Sequence, residues 1–578
     1  MKKNLLLLFV FSCSIAFSQS VYAPLNNDYN SLIDRYEIKS GTFANDIFTS
    51  VKPYLRNDVA QFADKLSADS ALKFSSVDKR NLNYLRDDNW EWSNIKDSGN
   101  TKRAILKIIY QKKNAFFEYN SNGLQFQLNP VACFSYGKDM ETIPTSINTS
   151  NYINSRGFEV RGTIDNKIGF YTFLTDNQAA FPTYMDNRIA ETNGLPGEGF
   201  WKQFGKNGYD FFSASGYIDF HVTKHIVTQF GQGSNIIGNG YRSLELSNFS
   251  PNYLFLKVDT KFGKFDYVNI FAQMVAEELT TSNGSPLGDV NYPRKYMALH
   301  YLTYNITKNL NIGAFENITF GNTDTINNRQ YELNYLNPII FYKAIENGLG
   351  APDKDHIGFD IKWNFLHHFS LYGTVFLDEF NIDQIRANTG WWANKQAGQI
   401  GLKYIDVAGI KNLDLQLEAN IVPPYTYTHF SYSNAPNNYY ANFANYSNYN
   451  QTLADPNGAN FKEFIGILKY QPFYRFTFTG KLFYTQIGLD KNGQDYGSNI
   501  LLNSNNRVSN YGNFIGQGAK TTIVYGSFTT TYQLMHNMFL DLTLIMRNEN
   551  SSLSSYNMKD NIGSFTFRWN IAQRLNEF

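Results

Sequence analysis

The chain has 578 residues, of which 43% are hydrophobic, 16% aromatic and only 17% charged, with a formal net charge of +1. This balance excludes a general electrostatic attraction to nucleic acid. No stretch beyond the N-terminal leader approaches eighteen apolar residues, which excludes a transmembrane helix. The leader itself, residues 1–18, reads as a secretory signal. Lys2 and Lys3 precede the apolar run 5–11, and Ala16 and Ser18 are the small residues before Gln19. With the leader removed, Cys133 is the remaining cysteine, so no intrachain disulfide is predicted.

Residues 19–120 lack strand alternation. Val51, Leu55, Val59 and Phe62 fall on one side of a predicted helix over 51–66. Ser75 with Asp78 resembles a capping box opening a second helix from Ser76 to about Leu85. Short strands are predicted over 104–110 and 115–119. This region reads as a small helical domain outside the membrane, or one folded up into the lumen of the barrel predicted downstream.

From 121 onward the pattern changes. Eight pairs of amphipathic segments are joined by very short turns at 165–167, 223–225, 261–264, 307–309, 366–368, 407–411, 471–473 and 534–537, and long polar loops separate the pairs. Segment 412–422 alternates Leu413, Leu415, Leu417, Ala419 and Ile421 with Asn412, Asp414, Gln416, Glu418 and Asn420. Strand side chains alternate with period two, so one face can meet lipid and the other water. A charge on the lipid face at the bilayer midplane costs about 2–4 kcal/mol, so the charged rows are predicted to face inward. Short turns at one end and long loops at the other predict an antiparallel outer-membrane β-barrel over 121–578, with 19–120 on the periplasmic side. A lead strand near 124–134 and a final one near 561–571 bring the total to about 18 strands, all-β and transmembrane. Such a barrel is wide enough to hold water unless something fills it.

Two loop segments suggest a filling. One, near 233–250, is glycine-rich and then apolar, with Gly238, Gly240, Tyr241 and Arg242 as lumen or plug candidates. The other, near 334–345, is too apolar for a freely solvated loop and is also predicted to face the lumen. At the C-terminus Phe565, Phe567 and Trp569 share a strand face, and the chain ends at Phe578. These four resemble the aromatic signal read by the barrel assembly machinery.

Motif by motif, little chemistry emerges. The glycines at 231, 233, 238 and 240 lack the Lys-Ser/Thr of a phosphate loop. His221 and His225 lack the companion Glu of a zinc-protease helix, and Asp490, Asn492 and Asp495 read as an Asx-rich turn rather than a calcium loop. Neither an enzyme, a metal site nor a cofactor is predicted. The loop between Pro423 and Phe461 is more informative: it holds seven Tyr and nine Asn. Tyrosine offers an apolar face with a hydroxyl, and asparagine both donates and accepts hydrogen bonds. That combination suits sugar rings. Tyr425, Tyr427, Tyr439, Tyr440 and Tyr446, with Trp391 and Trp392 of the preceding loop, are the candidate ligand-binding residues; self-packing of the loop and an interfacial girdle are the alternatives.

Several stretches together resemble RemB-type gliding-motility outer-membrane proteins and, more distantly, Wzi-type capsule-assembly barrels. They are Ala23-Pro-Leu-Asn-Asn-Asp-Tyr with Ile33-Asp-Arg-Tyr-Glu-Ile, Asn83-Tyr-Leu-Arg-Asp-Asp-Asn-Trp-Glu-Trp, Gly238-Asn-Gly-Tyr-Arg-Ser-Leu-Glu-Leu-Ser, and Trp391-Trp-Ala-Asn-Lys-Gln-Ala-Gly. The resemblance implies a plugged lumen, a periplasmic helical bundle and a surface role in holding polysaccharide or in adhesion and gliding. The partners to expect are outer-membrane lipid, the assembly machinery, surface polysaccharide, and gliding or secretion machinery. A porin-like channel and an accessory subunit of a secretion or motility assembly are the competing functions.

Overall fold

A computed structural model describes residues 19–95, 99–101, 109–141, 150–277, 279–280, 286–288, 290–321, 331–339, 341–351, 353–379, 381–430 and 444–578. The predicted leader, most of the predicted strand at 104–110, and Tyr439 and Tyr440 lie outside them.

Eighteen antiparallel strands close into a barrel. In chain order they are β1 Leu124–Asp139, β2 Ser150–Ile164, β3 Ile168–Ala180, β4 Gly208–Thr223, β5 Ile226–Gly233, β6 Tyr253–Phe262, β7 Phe265–Val275, β8 Arg294–Asn305, β9 Leu310–Gly321, β10 Lys354–Phe365, β11 Phe369–Leu377, β12 Gln396–Tyr404, β13 Leu413–Val422, β14 Phe461–Phe473, β15 Phe476–Leu489, β16 Ala519–Met535, β17 Met538–Ser551 and β18 Met558–Trp569. Each pairs with its sequence neighbour. β18 closes on β1 from Trp569↔Ala132 to Ile562↔Asp139, which leaves no strand edge open. All eight predicted hairpins are present. Among the described residues no helix is long and apolar enough to cross a membrane, so the crossing falls to the strands.

The alternation read in 412–422 sets the faces of β13. Leu417 and Ile421 point out and are exposed, while Glu418 and Asn420 point in and are buried. In β17, Leu542, Leu544 and Met546 point out, and Asp541, Thr543 and Arg547 point in. Ion pairing inside offsets the desolvation of the inward charges: Arg568 of β18 donates to Asp541 at 2.5 Å. On the outside near the short turns, stacked rings such as Phe265–Tyr304 and Phe369–Tyr404, each 4.3 Å between centroids, form an aromatic girdle.

The N-terminal region supplies three helices, α1 Asn27–Ser40, α2 Arg56–Ala68 and α3 Ser76–Asp88. Helix α1 escapes the sequence pattern because the polar Asn30, Arg35 and Glu37 are buried among Tyr29, Ile33, Tyr36 and Ile38 and blur its apolar stripe. The capping box at Ser75 and Asp78 is reciprocal, with both bonds at 2.9 Å. The bundle seats in the short-turn mouth, and a two-residue strand, Val51–Lys52, reaches further to pair with Ile236–Ile237 of the segment between β5 and β6.

Two expectations are corrected. The segment near 334–345 does not enter the lumen. It lies on the outside of β7–β10, where Tyr342 packs on the outward-facing His300 at 4.0 Å between ring centroids and clusters with Ile318 and Phe320. Its apolar residues cover wall, not channel. Phe578 is likewise parted from Phe565, Phe567 and Trp569. Asn570 adopts φ 54° after the last strand, and residues 571–578 turn back inside the barrel. There Arg547 donates to the Phe578 carbonyl at 3.0 Å, and the Phe578 ring meets Tyr184 of helix α4 (Thr183–Thr192). Phe565 stays on the outer face, exposed.

Candidate functional site

The lumen is filled from four directions. The segment between β5 and β6 crosses it. Gly238 donates to the Ser50 carbonyl at 2.8 Å, and its own carbonyl accepts from the Lys52 ammonium at 3.1 Å. Gly240 runs so close to the wall that a Cβ there would lie 2.5 Å from both the Arg242 carbonyl and the Gln399 amide, so only glycine fits. The backbone N–H groups of Tyr241 and Arg242 donate to the two oxygens of Glu418, at 2.6 and 3.1 Å. The Arg242 guanidinium bridges to Glu463 of β14 at 3.3 Å and to the Glu577 carbonyl of the C-terminal tail. Burial alone would depress this guanidinium, but Glu463 and then Asp455 outweigh it and hold it above its ordinary value. Tyr241 closes the same knot: its hydroxyl accepts from Lys481 at 3.0 Å, and Lys481 pairs with Glu577 at 2.6 Å.

The Tyr/Asn loop descends onto this segment from the long-loop end. Tyr425, Tyr427 and Tyr446 are all 0% exposed. The Tyr427 hydroxyl donates to the Leu244 carbonyl at 2.9 Å and that of Tyr446 to the Glu245 carbonyl at 2.6 Å. Tyr425 donates to the Asp495 carbonyl at 2.9 Å. These three are therefore not surface ligand contacts. They pack the loop into the barrel mouth, because a buried tyrosine hydroxyl finds its partner in the backbone it covers. Around them Leu244, Leu246, Ile270, Leu299, Phe315 and Phe461 form a dry core inside the barrel.

On the opposite side of the lumen the tail 571–578 runs along β1, β2 and β15–β18. A cavity of about 150 Å³ remains beside it, lined in part by Cys133, Asp541, Arg568 and Arg574. Its cations are paired: Arg568 with Asp541, and Arg574 with Glu198 at 2.7 Å.

Trp391 and Trp392 belong to a different place. Their loop, which carries the short helix Ile382–Ala387, crosses the loop between β15 and β16. Trp392 donates to the Asn510 carbonyl at 3.0 Å, Gly512 to that of Thr389 at 2.8 Å, and Asn513 to that of Gly390 at 2.9 Å. Gly390 (φ +65°) lets the backbones approach; a Cβ there would meet the Asn513 backbone at 2.7 Å. Trp392 is committed to structure, with Arg507 at 4.1 Å and Lys395 at 4.9 Å from its ring centre. Beside it the junction presents outward aromatic faces: Tyr511 is 52% and Phe514 65% exposed, next to half-buried Trp391 and the amide of Asn513. Sequence reasoning misses Tyr511 and Phe514. The available signal is Asn503, Asn505, Asn506, Asn510 and Asn513, which interleave with these rings as Asn does in the loop 423–461.

The Asp490–Asp495 turn uses its carboxylates locally. Asp490 accepts from the Tyr496 N–H at 2.7 Å and Asp495 from the Gly497 N–H at 2.8 Å.

No family model and no curated protein matches this chain. Among solved structures it is similar to Wzi of Escherichia coli, an outer-membrane protein involved in group 1 capsule assembly and described as a carbohydrate-binding β-barrel. The TM-score is 0.54 at 12% identity, over 95% of this chain and 99% of that one. This chain has the fold of an outer-membrane β-barrel. OprD of Pseudomonas aeruginosa also aligns, at 10% identity and TM-score 0.40 over 77% of this chain and 92% of that one. So does OccAB4 of Acinetobacter baumannii, at 11% identity and TM-score 0.39 over 77% and 97%. In such barrels the short turns face the periplasm and the long loops face outward. The helical bundle sits at the short-turn mouth, and the Trp391–Tyr511–Phe514 ledge at the long-loop end.

Proposed function

We propose that this protein is a non-enzymatic surface receptor that holds polysaccharide on its extracellular loops. The observation that carries the reading is the pairing of a filled lumen with an exposed aromatic ledge. Among the described residues, helices α1–α3, the segment 234–252, the Tyr/Asn loop and the C-terminal tail together fill the lumen. Meanwhile Trp391, Tyr511 and Phe514 offer flat apolar faces beside the neutral amide of Asn513. Such a face stacks on the C–H side of a sugar ring, and the Asn513 amide oxygen, which accepts from Gln517 at 3.0 Å, keeps a second lone pair for a sugar hydroxyl. The likeness to Wzi supports the fold on which this reading rests; the carbohydrate preference is argued from the ledge. Holding polysaccharide serves a capsule role and an adhesion or gliding role alike.

The test is retention of surface polysaccharide by intact cells. Alanine at both Tyr511 and Phe514 is expected to reduce it at least severalfold, since each stacking contact contributes on the order of 1 kcal/mol. Raising salt to about 0.5 M is expected to change retention little, because stacking and neutral hydrogen bonds are weakly screened. Unchanged retention with normal surface display refutes the ledge as the binding site.

A further inference from the structure

The outer surface of a barrel should be apolar along its lipid band, yet one row here is not. Asn269, His300 and Glu316 lie side by side in register across β7, β8 and β9, with Asp355 of β10 one row further toward the long loops. Alternation turns all four outward, because the flanking outward residues Leu302, Ile312, Phe359 and Ile361 are exposed on the lipid face. His300 is four residues along β8 from Tyr304, a member of the aromatic girdle at the periplasmic end. A strand crosses the hydrocarbon in about 9–11 residues, so the Asn269–His300–Glu316 row falls inside the hydrocarbon depth, where a charged or unpaired polar group is strongly disfavoured.

The segment 331–351 covers this row. It comprises a short 3₁₀ turn, Leu333–Leu336, and helix α5, Tyr342–Leu349. Three of its polar groups meet the wall: the Tyr342 N–H donates to Glu316 at 2.8 Å, the Tyr335 hydroxyl to Asp353 at 2.7 Å, and Lys343 pairs with Asp355 at 2.9 Å, while Asn334, Asn337 and Asn347 are exposed. Tyr335 and Tyr342 are fully buried against Phe271, Ala298, Ile318 and Phe320. Its bulky apolar side chains point the other way. Ile339 is 85%, Phe341 75% and Leu333 73% exposed. An amphipathic segment in water turns its apolar face toward the protein; this one packs Tyr335, Tyr342 and Ile345 on the wall and yet carries Leu333, Ile339 and Phe341 outward as well.

We infer that residues 331–339 and 341–351 form a lipid-facing cover: lipid acyl chains occupy the surface of Leu333, Ile339 and Phe341, and the cover seals a polar patch of the barrel wall from hydrocarbon. The occupant follows from continuity. The cover's apolar surface extends the lipid face of Leu302, Ile312, Phe359 and Ile361 on the same strands, at the same side of the barrel. The side chains of Ile339 and Phe341 are almost free of protein contact, so replacing them leaves the packing of the cover intact.

The full chain, with Cys13 and Cys133 changed to Ser, is spin-labelled at Ile339→Cys and separately at Phe341→Cys and reconstituted into phosphatidylcholine vesicles. Phe359→Cys serves as a lipid-facing reference and Lys206→Cys, in the loop between β3 and β4, as a water-facing one. Heat-modifiable migration confirms folding of each variant. Collision rates with oxygen, which partitions into lipid, and with a neutral nickel chelate, which stays in water, are then compared. The expected result is an oxygen-to-nickel ratio at 339 and 341 close to that at 359 and at least severalfold above that at 206. A ratio like that at 206 places the segment in water and overturns the inference. Low collision with both reagents places it against protein, such as a second copy, and overturns it equally.

Discussion

At the short-turn mouth, Asp34, Arg35, Glu37, Lys39 and Asp58 of the helical region each meet an opposite charge on the barrel: Lys403 at 2.6 Å, Asp406 at 2.6 Å, Lys362, Asp406 at 2.9 Å and Lys261 at 2.8 Å. At the long-loop end, Tyr427, Tyr446 and Ser247 instead donate to backbone carbonyls, and the space between them is apolar. The same lumen is thus sealed in two chemical languages. Charge pairs fix the register of a separately folded bundle against a polar wall, and neutral contacts suit a loop that packs into a dry core. The consequence is that the two seals should fail under different insults.

The largest effect is expected at Arg35. Its guanidinium is buried and pairs with Asp78, Asp406 and Asp414 together. Arg35→Ala leaves three carboxylates facing one another, and removing one partner from a buried ion pair costs about 3–5 kcal/mol. Limited proteolysis of the folded protein should then cut within α1–α3 at far lower protease, while residues 444–460 stay protected. Equal loss of protection at both ends would erase the distinction between the seals.

Acid and base should separate them as well. Burial would raise the Asp406 carboxyl, but Arg35 outweighs it and holds it down at about 2. Its folded value lies below the unfolded value near 4, so this stabilisation is present above about pH 4 and is lost as pH falls toward 2. Asp455, in the Tyr/Asn loop, shows the opposite sign: burial and then Glu463 push it up to about 7. Its contribution is full below about pH 4 and is lost as pH rises through 7. Asp186 in α4 and Asp495 beside Tyr425 are raised to about 7, by burial first in both cases. Asp455→Asn should therefore gain in Tm relative to the parent between about pH 5.5 and about pH 8.5. A parent–variant difference independent of pH would contradict the assignment.

The smallest effect is expected at the hydroxyls. Tyr427→Phe and Tyr446→Phe each remove one neutral hydrogen bond, worth about 1 kcal/mol, and strand the carbonyl of Leu244 or Glu245. Protease protection of the segment 234–252 should fall modestly and should not respond to salt. A strong salt dependence would show that charge, not neutral packing, holds the seal at the long-loop end.

The barrel is legible in the sequence because alternation and turn length are local: Leu413 to Ile421 announce their face, and the turn at 165–167 needs no distant partner. The site is less legible for a corresponding reason. Tyr425, Tyr427 and Tyr446 have the composition of a sugar-binding loop, yet whether such a loop points outward or into the lumen is decided by Leu244 and Glu245, nearly two hundred residues earlier. The segment 334–345 is indeed too apolar for water, but its own residues carry no sign of which face of the wall it covers. His300 and Glu316, polar on an outward row, are the available clue. Phe578 reads as a partner of the strand that ends at Trp569, whereas Asn570 and the pairing of Glu577 with Lys481 send it inside.

That this barrel is closed and works at its surface is tested most directly by steady-state conductance of the purified full chain in planar bilayers. Little or no stable conductance is expected, because both seals and the C-terminal tail occupy the lumen together. Large, long-lived open channels from the intact protein would contradict a closed barrel and identify the lumen as a route for solute.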